Sequence, residues 1–192
     1  MQLSYLSVAH PEHSLAQFGS VARAKLAKKI SEEAIEEDQS IKVEKQDFIV
    51  LLLGYGYPQS ALDLRLEAKS ALRTRGFEIY MMEEIETKPA ETLNAKFRRI
   101  LKEYSPRLFL ILVSQELGAT GASYEVSLLV ERYGQTRACK MIRICAGKSV
   151  KLGISFNQYI TELDEIVVRK YDDNDFDDMI EVMENTILDA MT

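Results

Sequence analysis

The chain has 192 residues and a formal net charge of −6, from 24 basic and 30 acidic side chains. This balance predicts no broad basic surface for nucleic acid, and no apolar run approaches the ~20 residues that a membrane helix needs. His10 and His13 are the only histidines in the sequence, which argues against a His-based metal site and against a Ser/His/Asp triad. Chemistry must then rest on carboxylates, hydroxyls and backbone groups, without a metal or another cofactor.

The first residues and the two cysteines bear on location. The start, MQLSYLSVAHPEH, lacks the basic beginning and the sustained apolar segment of a signal peptide. Cys139 and Cys145 lie in or beside one predicted strand, roughly 20 Å apart by strand rise, so they are too distant to pair with each other. We therefore expect a cytoplasmic protein with reduced thiols.

Residues 1–46 differ from the rest of the chain. We predict that they form a helical extension, followed by a nucleotide-binding α/β domain at residues 47–192. Apolar residues recur at helical intervals between Ser20 and Glu37, but basic residues come first and acidic residues later, against the preference of the helix macrodipole. Such a helix depends on packing against the sheet or a second subunit, unless it is a mobile arm. A homo-oligomer is therefore one expectation.

From Asp47 onward, apolar runs alternate with helical patterns. We predict strands at residues 48–53, 77–82, 108–113, 139–145 and 165–170, and helices at 60–75, from Pro89 to 104, at 123–133 and at 175–191, with a short helix near 156–163. The runs FIVLLL at 48–53 and LFLILV at 108–113 have no polar face. Such runs are typical of parallel strands that helices cover on both sides.

This alternation predicts a flavodoxin-like three-layer α/β fold, with five parallel strands in the order 2-1-3-4-5. In that order the topological switch point lies between the first and third strands, where ligands bind beyond the carboxyl ends. The two loops that follow these strands are GYGYP and SQELGATGASYE, the most glycine-rich in the chain.

The first of these loops, residues 54–58, is a weak motif. It is not a Walker loop, and it lacks the third glycine of the dinucleotide-binding fingerprint. Its two glycines could serve only to turn the chain. In a binding role, Gly54 and Gly56 would let backbone amides approach a ribose or a phosphate, and Tyr55 or Tyr57 could stack on a base.

Charged residues on the same sheet edge are further candidates. Arg65 belongs to a charged helical stretch that is typical of a solvent-exposed face. It would reach a phosphate only if its side chain pointed toward the carboxyl edge of the sheet. Glu83 and Glu84 end the second strand, where acidic residues are usually just solvated. If one of them faced the pocket, it could hold ribose hydroxyls or act as the second carboxylate in breaking a glycosidic bond.

Glu125 is the candidate catalytic residue. Ser123 is interpreted as the N-cap that places Glu125 in the first turn of a helix, where acidic residues are common because they complement the macrodipole. That position alone favours a structural role. Its place at the switch point favours a functional role, because the small residues before it let a ligand approach the backbone. The residues expected to bind that ligand are Ser114, Gly118, Gly121 and Ser123.

The segment VSQELGATGASYEVSLL, residues 113–129, resembles the nucleoside 2-deoxyribosyltransferase superfamily, as do the glycine loop and the helix that ends in RGFEIY. It is also similar to Toll/interleukin-1 receptor (TIR) domains, in which a strand is followed by a serine, a loop and a helical glutamate. Ser114 and Glu125 match that outline. The resemblance in the order of strands and helices covers residues 47–190, whereas the resemblance in sequence motif covers far fewer residues. It implies that Glu125 attacks or stabilises the anomeric carbon of a ribosyl group.

The motif also departs from the deoxyribosyltransferase pattern. Ala119 stands where that family has an Asp six residues before the glutamate, and Ala122 replaces a Thr, whereas Gly121 is retained. The missing Asp weakens the case for a deoxynucleoside substrate and for transfer.

These observations together predict an enzyme that acts on the N-glycosidic bond of a nucleoside, a nucleotide or NAD, as a hydrolase or a ribosyl transferase. Glu125 would be the nucleophile or the stabiliser of an oxocarbenium ion. One alternative is a non-catalytic nucleotide-sensing module that uses the same pocket. Another is a TIR-like interaction module that assembles through residues 1–46. The expected partner is a small molecule, not a nucleic acid or a membrane.

Overall fold

The structure is a computed structural model that describes residues 28–29, 44–55, 58–114, 120–151, 163 and 166–192, with backbone alone at 120–123. The chain divides into two units after Val43. In the first unit, the described residues are Lys28 and Lys29, which are helical. The predicted N-terminal helix and the short helix near 156–163 therefore lie mostly outside the described residues. The second unit contains the α/β domain.

The described part of this domain alternates strands and helices. The strands are β1 (Ile49–Gly54), β2 (Glu78–Met81), β3 (Leu108–Val113), β4 (Ile142–Gly147) and β5 (Val167–Tyr171). The helices are α1 (Gln59–Thr74), α2 (Leu93–Glu103), α3 (Thr120–Tyr133), α4 (Gln135–Met141) and α5 (Phe176–Met191), and a 3-10 turn spans Met82–Glu84. In the described part of the chain, each helix falls short of the length and apolar character that crossing a bilayer requires.

The five strands form one parallel sheet in the order β2-β1-β3-β4-β5, which confirms the predicted fold class and strand order. Alternate side chains of each strand enter opposite cores. Leu51, Phe109 and Ile111 pack into the core that includes residues of α2, α3 and α4. Leu52 and Leu110 pack into the core that includes residues of α1 and α5. Because both faces are covered, all six residues of β3 are buried, as its apolar run predicted.

Local signals explain where several helices begin and end. The Thr92 hydroxyl accepts a hydrogen bond from the Ala95 amide at the start of α2, and the Asp175 carboxylate accepts one from the Asp178 amide at the start of α5. Gly76, with φ of +93°, follows α1 and ends it as predicted. Within the described part of the α/β domain, the predicted strands and helices thus appear with ends shifted by a few residues.

Two details of the prediction were wrong. Cys139 lies in the helix α4, not in the predicted strand. Gly134, with φ of +77°, separates this second short helix from α3. The strand starts only at Ile142, so the two cysteines occupy different elements; both are buried, and neither is part of a disulfide. Helix α3 begins at Thr120, three residues before the predicted cap at Ser123, because the small residues interpreted as loop form its first turn.

The register of the sheet sets the positions of the candidate loops. Gly54 pairs with Leu112, and Leu52 pairs with Met81. The chain therefore leaves β1, β2 and β3 at nearly the same height on the carboxyl edge of the sheet. Tyr55, Glu83 and Ser114 therefore all follow strands at this one edge of the sheet.

Candidate active site

Gly54 is the residue at the end of β1 that lets another side chain pass beneath the loop. Its φ is +150°, and a Cβ atom there would lie 2.6 Å from the carbonyl oxygen of Leu112 on the neighbouring strand. The same Cβ atom would lie 3.0 Å from Cδ of Arg65. Glycine is therefore required for both the backbone conformation and the space that Arg65 occupies. This role differs from the predicted approach of a backbone amide to a ligand.

Arg65 is the residue that the sequence reasoning misjudged. It is only 2% exposed, whereas the charged stretch around it was interpreted as a solvated face. Its Nη2 lies 2.5 Å from Oε1 of Glu83, and its Nη1 lies 3.4 Å from Oε2 of the same carboxylate. A two-pronged pair of this kind holds both side chains in a defined geometry. Glu83, in the middle of the 3-10 turn, is therefore held against α1 by this pair, and its side chain stays 35% exposed.

A second pair lies one turn further along α1. The Lys69 ammonium contacts the Glu84 carboxylate, and Lys69 is 9% exposed. Glu83 and Glu84, which the sequence presented as a solvated acidic pair, are thus both tied to cations on α1. The two pairs fix the 3-10 turn after β2 against α1.

Glu125 lies in the second turn of α3, close enough to Arg65 and Glu83 for their charges to affect its pKa. No acidic residue occupies the first turn, so the macrodipole explanation for Glu125 loses its basis. The residue as a whole is partly buried, and its Oε2 is buried without a hydrogen-bond partner among the described residues. A carboxyl oxygen in this condition is costly unless a ligand or a proton compensates it.

Burial raises the pKa of Glu125 from 4.5 to about 8. The positive charge of Arg65 lowers this pKa, and the negative charge of Glu83 raises it, but both effects are smaller than that of burial. At neutral pH, Glu125 therefore carries a proton for most of the time, whereas Glu83 faces a guanidinium. The two carboxyl groups thus differ in environment, because Glu125 is buried and Glu83 is paired with Arg65, and such differences are common in acid–base sites.

Tyr55 adds a hydroxyl to the same region. Its ring packs against the core that contains Val126, the neighbour of Glu125 on α3. Its hydroxyl oxygen is buried and has no partner in the part of the chain that the structure describes. Burial also raises its pKa, so the hydroxyl is neutral and able to donate. The residue as a whole is only partly buried.

Ser114 directly follows β3 at the same edge of the sheet. It lines a cleft of roughly 360 Å³ together with the starts of α1 and α5 and the end of β5; the further lining residues are Ser60, Leu64, Tyr171, Asp172, Asp173, Asn174, Asp175, Phe176 and Met179. The Tyr171 hydroxyl donates to the Val113 carbonyl, which fixes β5 against the residue before Ser114. The acidic residues after β5 mostly bond to nearby backbone amides, such as Ser149 N to Asp173.

The remaining candidates have less structural description. Gly56, Tyr57 and Gly118 lie outside the described residues, and Gly121 and Ser123 are described only as helical backbone in α3. Within the described ranges, no group of three or more His, Cys, Asp or Glu side chains is arranged to hold a metal ion.

Comparison with known proteins gives a likeness in structure but none in sequence. No protein-family model matches the chain, and no curated protein matches it. The structure is similar to that of a 2-deoxyribosyltransferase from the psychrotolerant bacterium Bacillus psychrosaccharolyticus, a biocatalyst for the synthesis of nucleosides. The two share 14% identity over 72% of this chain and 95% of that chain, with a TM-score of 0.48. The sequence motif resembles the same family. Since proteins this distant can differ in reaction, the function must be inferred from the residues themselves.

Proposed function

We propose that this protein breaks the N-glycosidic bond of a nucleoside, a nucleotide or NAD, with Glu125 facing the anomeric carbon. One observation carries the proposal: the Glu125 carboxyl is buried at the switch point, its Oε2 is unpaired among the described residues, and Arg65 and Glu83 act on its charge. Ligands of this fold class bind at that edge of the sheet. The motif resemblance points to the same residue.

The reaction needs no metal and no histidine. The bond between the anomeric carbon and the base nitrogen breaks, and its electron pair leaves with the base. The Glu125 carboxylate either bonds to the anomeric carbon or stabilises the oxocarbenium ion that forms there. Water or a second base then attacks the same carbon and releases Glu125, which gives hydrolysis in the first case and transfer in the second. With a neutral nucleoside, the departing base takes up one proton and the attacking group gives up one, so protons balance over the cycle.

Arg65 and Glu83 are the charged residues that act on the ionisation of Glu125. Arg65 favours the ionised form of Glu125, and Glu83 opposes it. Because Glu83 is held by the guanidinium, it is poorly placed to attack carbon itself. Its remaining lone pairs suit sugar hydroxyls. Glu125, with its unpaired oxygen, is therefore the better nucleophile of the two carboxylates once it is ionised.

The proposal is tested by incubating the full chain with nucleosides, nucleotides and NAD and measuring free base by chromatography. Glu125→Gln should lose at least ~10²-fold in turnover, since it keeps the shape but cannot carry the negative charge. Glu131→Gln is the matched control, because Glu131 lies on the same helix with its side chain 65% exposed. Base release that persists in Glu125→Gln would reject the role of Glu125.

One observation favours a second candidate, a nucleotide-sensing module without turnover. A carboxyl group with a pKa of about 8 is mainly neutral at pH 7, and a neutral carboxyl can donate a hydrogen bond to a sugar. Nucleotide binding by calorimetry, without base release from any compound, would favour this candidate.

A further inference from the structure

A cleft with a positively charged lining lies at the amino edge of the sheet, at the opposite end of β3 from the candidate active site. It has a volume of roughly 610 Å³ and lies among the end of α2, the loop that enters β3, the end of α3 and the helix α4. The Arg107 amide in this loop donates to the carbonyl of Ile49, the first residue of β1, which places the cleft at this edge. The charged lining residues are Lys102, Arg107, Arg132 and Arg137.

The positive charge of this cleft is not balanced by nearby acids. Among the described residues, no carboxylate lines the cleft, although the whole chain has a net charge of −6. All four cations are exposed, and in the described part of the chain none of them forms an ion pair. The acidic residues adjacent in sequence are paired elsewhere, Glu103 with Arg99 and Glu131 with Arg98. Four such cations from separate elements create a local positive potential that attracts an anion.

Helix macrodipoles account for only part of this arrangement. Lys102 and Arg132 lie in the last turns of α2 and α3, where a cation complements the macrodipole. Arg107 belongs to no helix, and Arg137 is the third residue of α4, where a cation opposes the macrodipole. Two of the four cations therefore lack this structural explanation, and a bound anion would supply one.

Two of the arginines converge on one aromatic ring. The guanidinium carbon of Arg132 lies 5.6 Å from the ring centroid of Tyr133, and that of Arg137 lies 5.4 Å from it. Cation–π contacts at these distances favour defined positions for both side chains. The two guanidinium carbons are no more than about 11 Å apart, because both lie close to the same ring. The ring itself packs on Phe109 of β3, which ties the pair to the sheet.

We propose that this cleft binds a small ligand that carries two or more linked phosphoryl groups. The planar guanidinium of arginine matches phosphate oxygens in both geometry and charge, and three of the four cations are arginines. Each charge-assisted contact spans about 2.8 Å between nitrogen and oxygen. Linked phosphoryl groups can therefore contact both Arg132 and Arg137 across a spacing that is long for a single phosphate.

The size of the cleft favours a compact anion. Its volume lies within the ~300–1,000 Å³ of pockets that hold small ligands, which suits an oligophosphate or a nucleoside diphosphate or triphosphate. A nucleic acid would require a basic surface that follows a longer run of phosphates. The lining includes none of the residues that act on Glu125, so this inference does not depend on the proposed function.

The test measures binding to the full chain by calorimetry, at an ionic strength of about 0.15 M and without divalent cations. The compounds are inorganic phosphate, pyrophosphate, inorganic triphosphate, ADP and ATP. We expect triphosphate to bind at least ~10-fold more tightly than phosphate, because it contacts more of the cations. Equal affinity for triphosphate and ATP would assign recognition to the phosphoryl chain alone, and tighter binding of ATP would identify a nucleotide; both results support the site. Failure of every compound to bind at about 1 mM would overturn the proposal.

Variants locate the binding. Arg107→Gln and Arg137→Gln each remove one charged donor from an exposed position, so the affinity for triphosphate should fall at least ~10-fold in each. Arg169→Gln, on β5 and paired with Asp189, removes the same charge outside the cleft and should change the affinity by less than ~2-fold. Circular dichroism checks that each variant is folded. Unchanged affinity in Arg107→Gln and Arg137→Gln would overturn the assignment to this cleft.

Two further measurements define the ligand class and the site. Glu125→Gln should bind triphosphate as the wild type does, and a loss of binding in this variant would overturn the assignment to the amino edge of the sheet. A single-stranded oligonucleotide is titrated under the same conditions. If it binds more tightly than triphosphate and loses affinity in Arg137→Gln, the cleft is a nucleic-acid surface and the proposal of a small ligand is overturned.

Discussion

The buried carboxyl of Glu125 should make the protein less stable as the pH rises, and Glu125→Gln should remove this effect. Below pH 4.5 the side chain is neutral in both folded and unfolded chains, so it contributes no pH dependence. Between pH 4.5 and about 8 it ionises in the unfolded chain while the folded protein keeps the proton. The unfolded state then binds fewer protons, so the free energy of unfolding falls as pH increases, and the loss levels off above about pH 8.

The size of the effect follows from the two pKa values. One unit of pKa difference is worth about 1.4 kcal/mol, so the full difference corresponds to about 5 kcal/mol at high pH. From pH 5, where part of the loss is already present, the stability gained by Glu125→Gln should grow by about 2.5 kcal/mol at pH 7 and about 4 kcal/mol at pH 9. The amide adds a pH-independent offset, so the informative quantity is the change in this difference with pH.

The assay is urea unfolding of wild type and Glu125→Gln at pH 5, 7 and 9, with the free energies extrapolated to water. Glu131→Gln, on the exposed face of α3, should show no such trend. A difference between wild type and Glu125→Gln that stays constant to within about 0.5 kcal/mol from pH 5 to pH 9 would refute the burial of the carboxyl.

Three further predictions concern the charge, the turn and the scaffold of the site. In wild type, kcat/KM should rise with pH through about 8, and a fall over that range would assign Glu125 the role of an acid instead. Glu83→Gln should lower the pKa that governs this rise, because it removes the negative charge that opposes ionisation of Glu125. Gly54→Ala should cost about 2 kcal/mol or more in urea unfolding, because its Cβ atom would meet the Leu112 carbonyl. Its control is Gly134→Ala, where a Cβ atom meets nothing within 4 Å and only the cost of positive φ applies, so an equal loss in both variants would count against the close approach. Asp175→Ala should cost about 1 kcal/mol by removing the cap of α5, and should leave the pH profile of kcat/KM unchanged.

Strands were the most predictable part of this chain. Residues 108–113 were predicted to the residue, because six apolar positions without polar interruption allow few structures other than a buried strand. Their alternation with helical stretches then fixed the sheet order. The helix α4 was missed because seven residues are too few to distinguish a helical period from a strand period.

The site was harder to predict, because its properties arise from three separate elements. The sequence singled out Glu125, but the charges that act on it come from Arg65 on α1 and Glu83 in the turn after β2. A signal for Arg65 was present in the sequence. It lies on the same helical stripe as Ala61, Ala68 and Leu72, all of which are buried. A charged residue on such a stripe, flanked by small residues, indicates a buried ion pair.

The most direct test of the central claim is chemical rescue of Glu125→Ala, once a cleaved compound is known. Truncation removes the carboxylate and leaves space at the anomeric carbon, so base release should fall at least ~10²-fold. Added formate should then restore release in proportion to its concentration, whereas the wild type should not respond. Base release by Glu125→Ala at the wild-type rate without formate would contradict the claim that this carboxylate acts at the anomeric carbon.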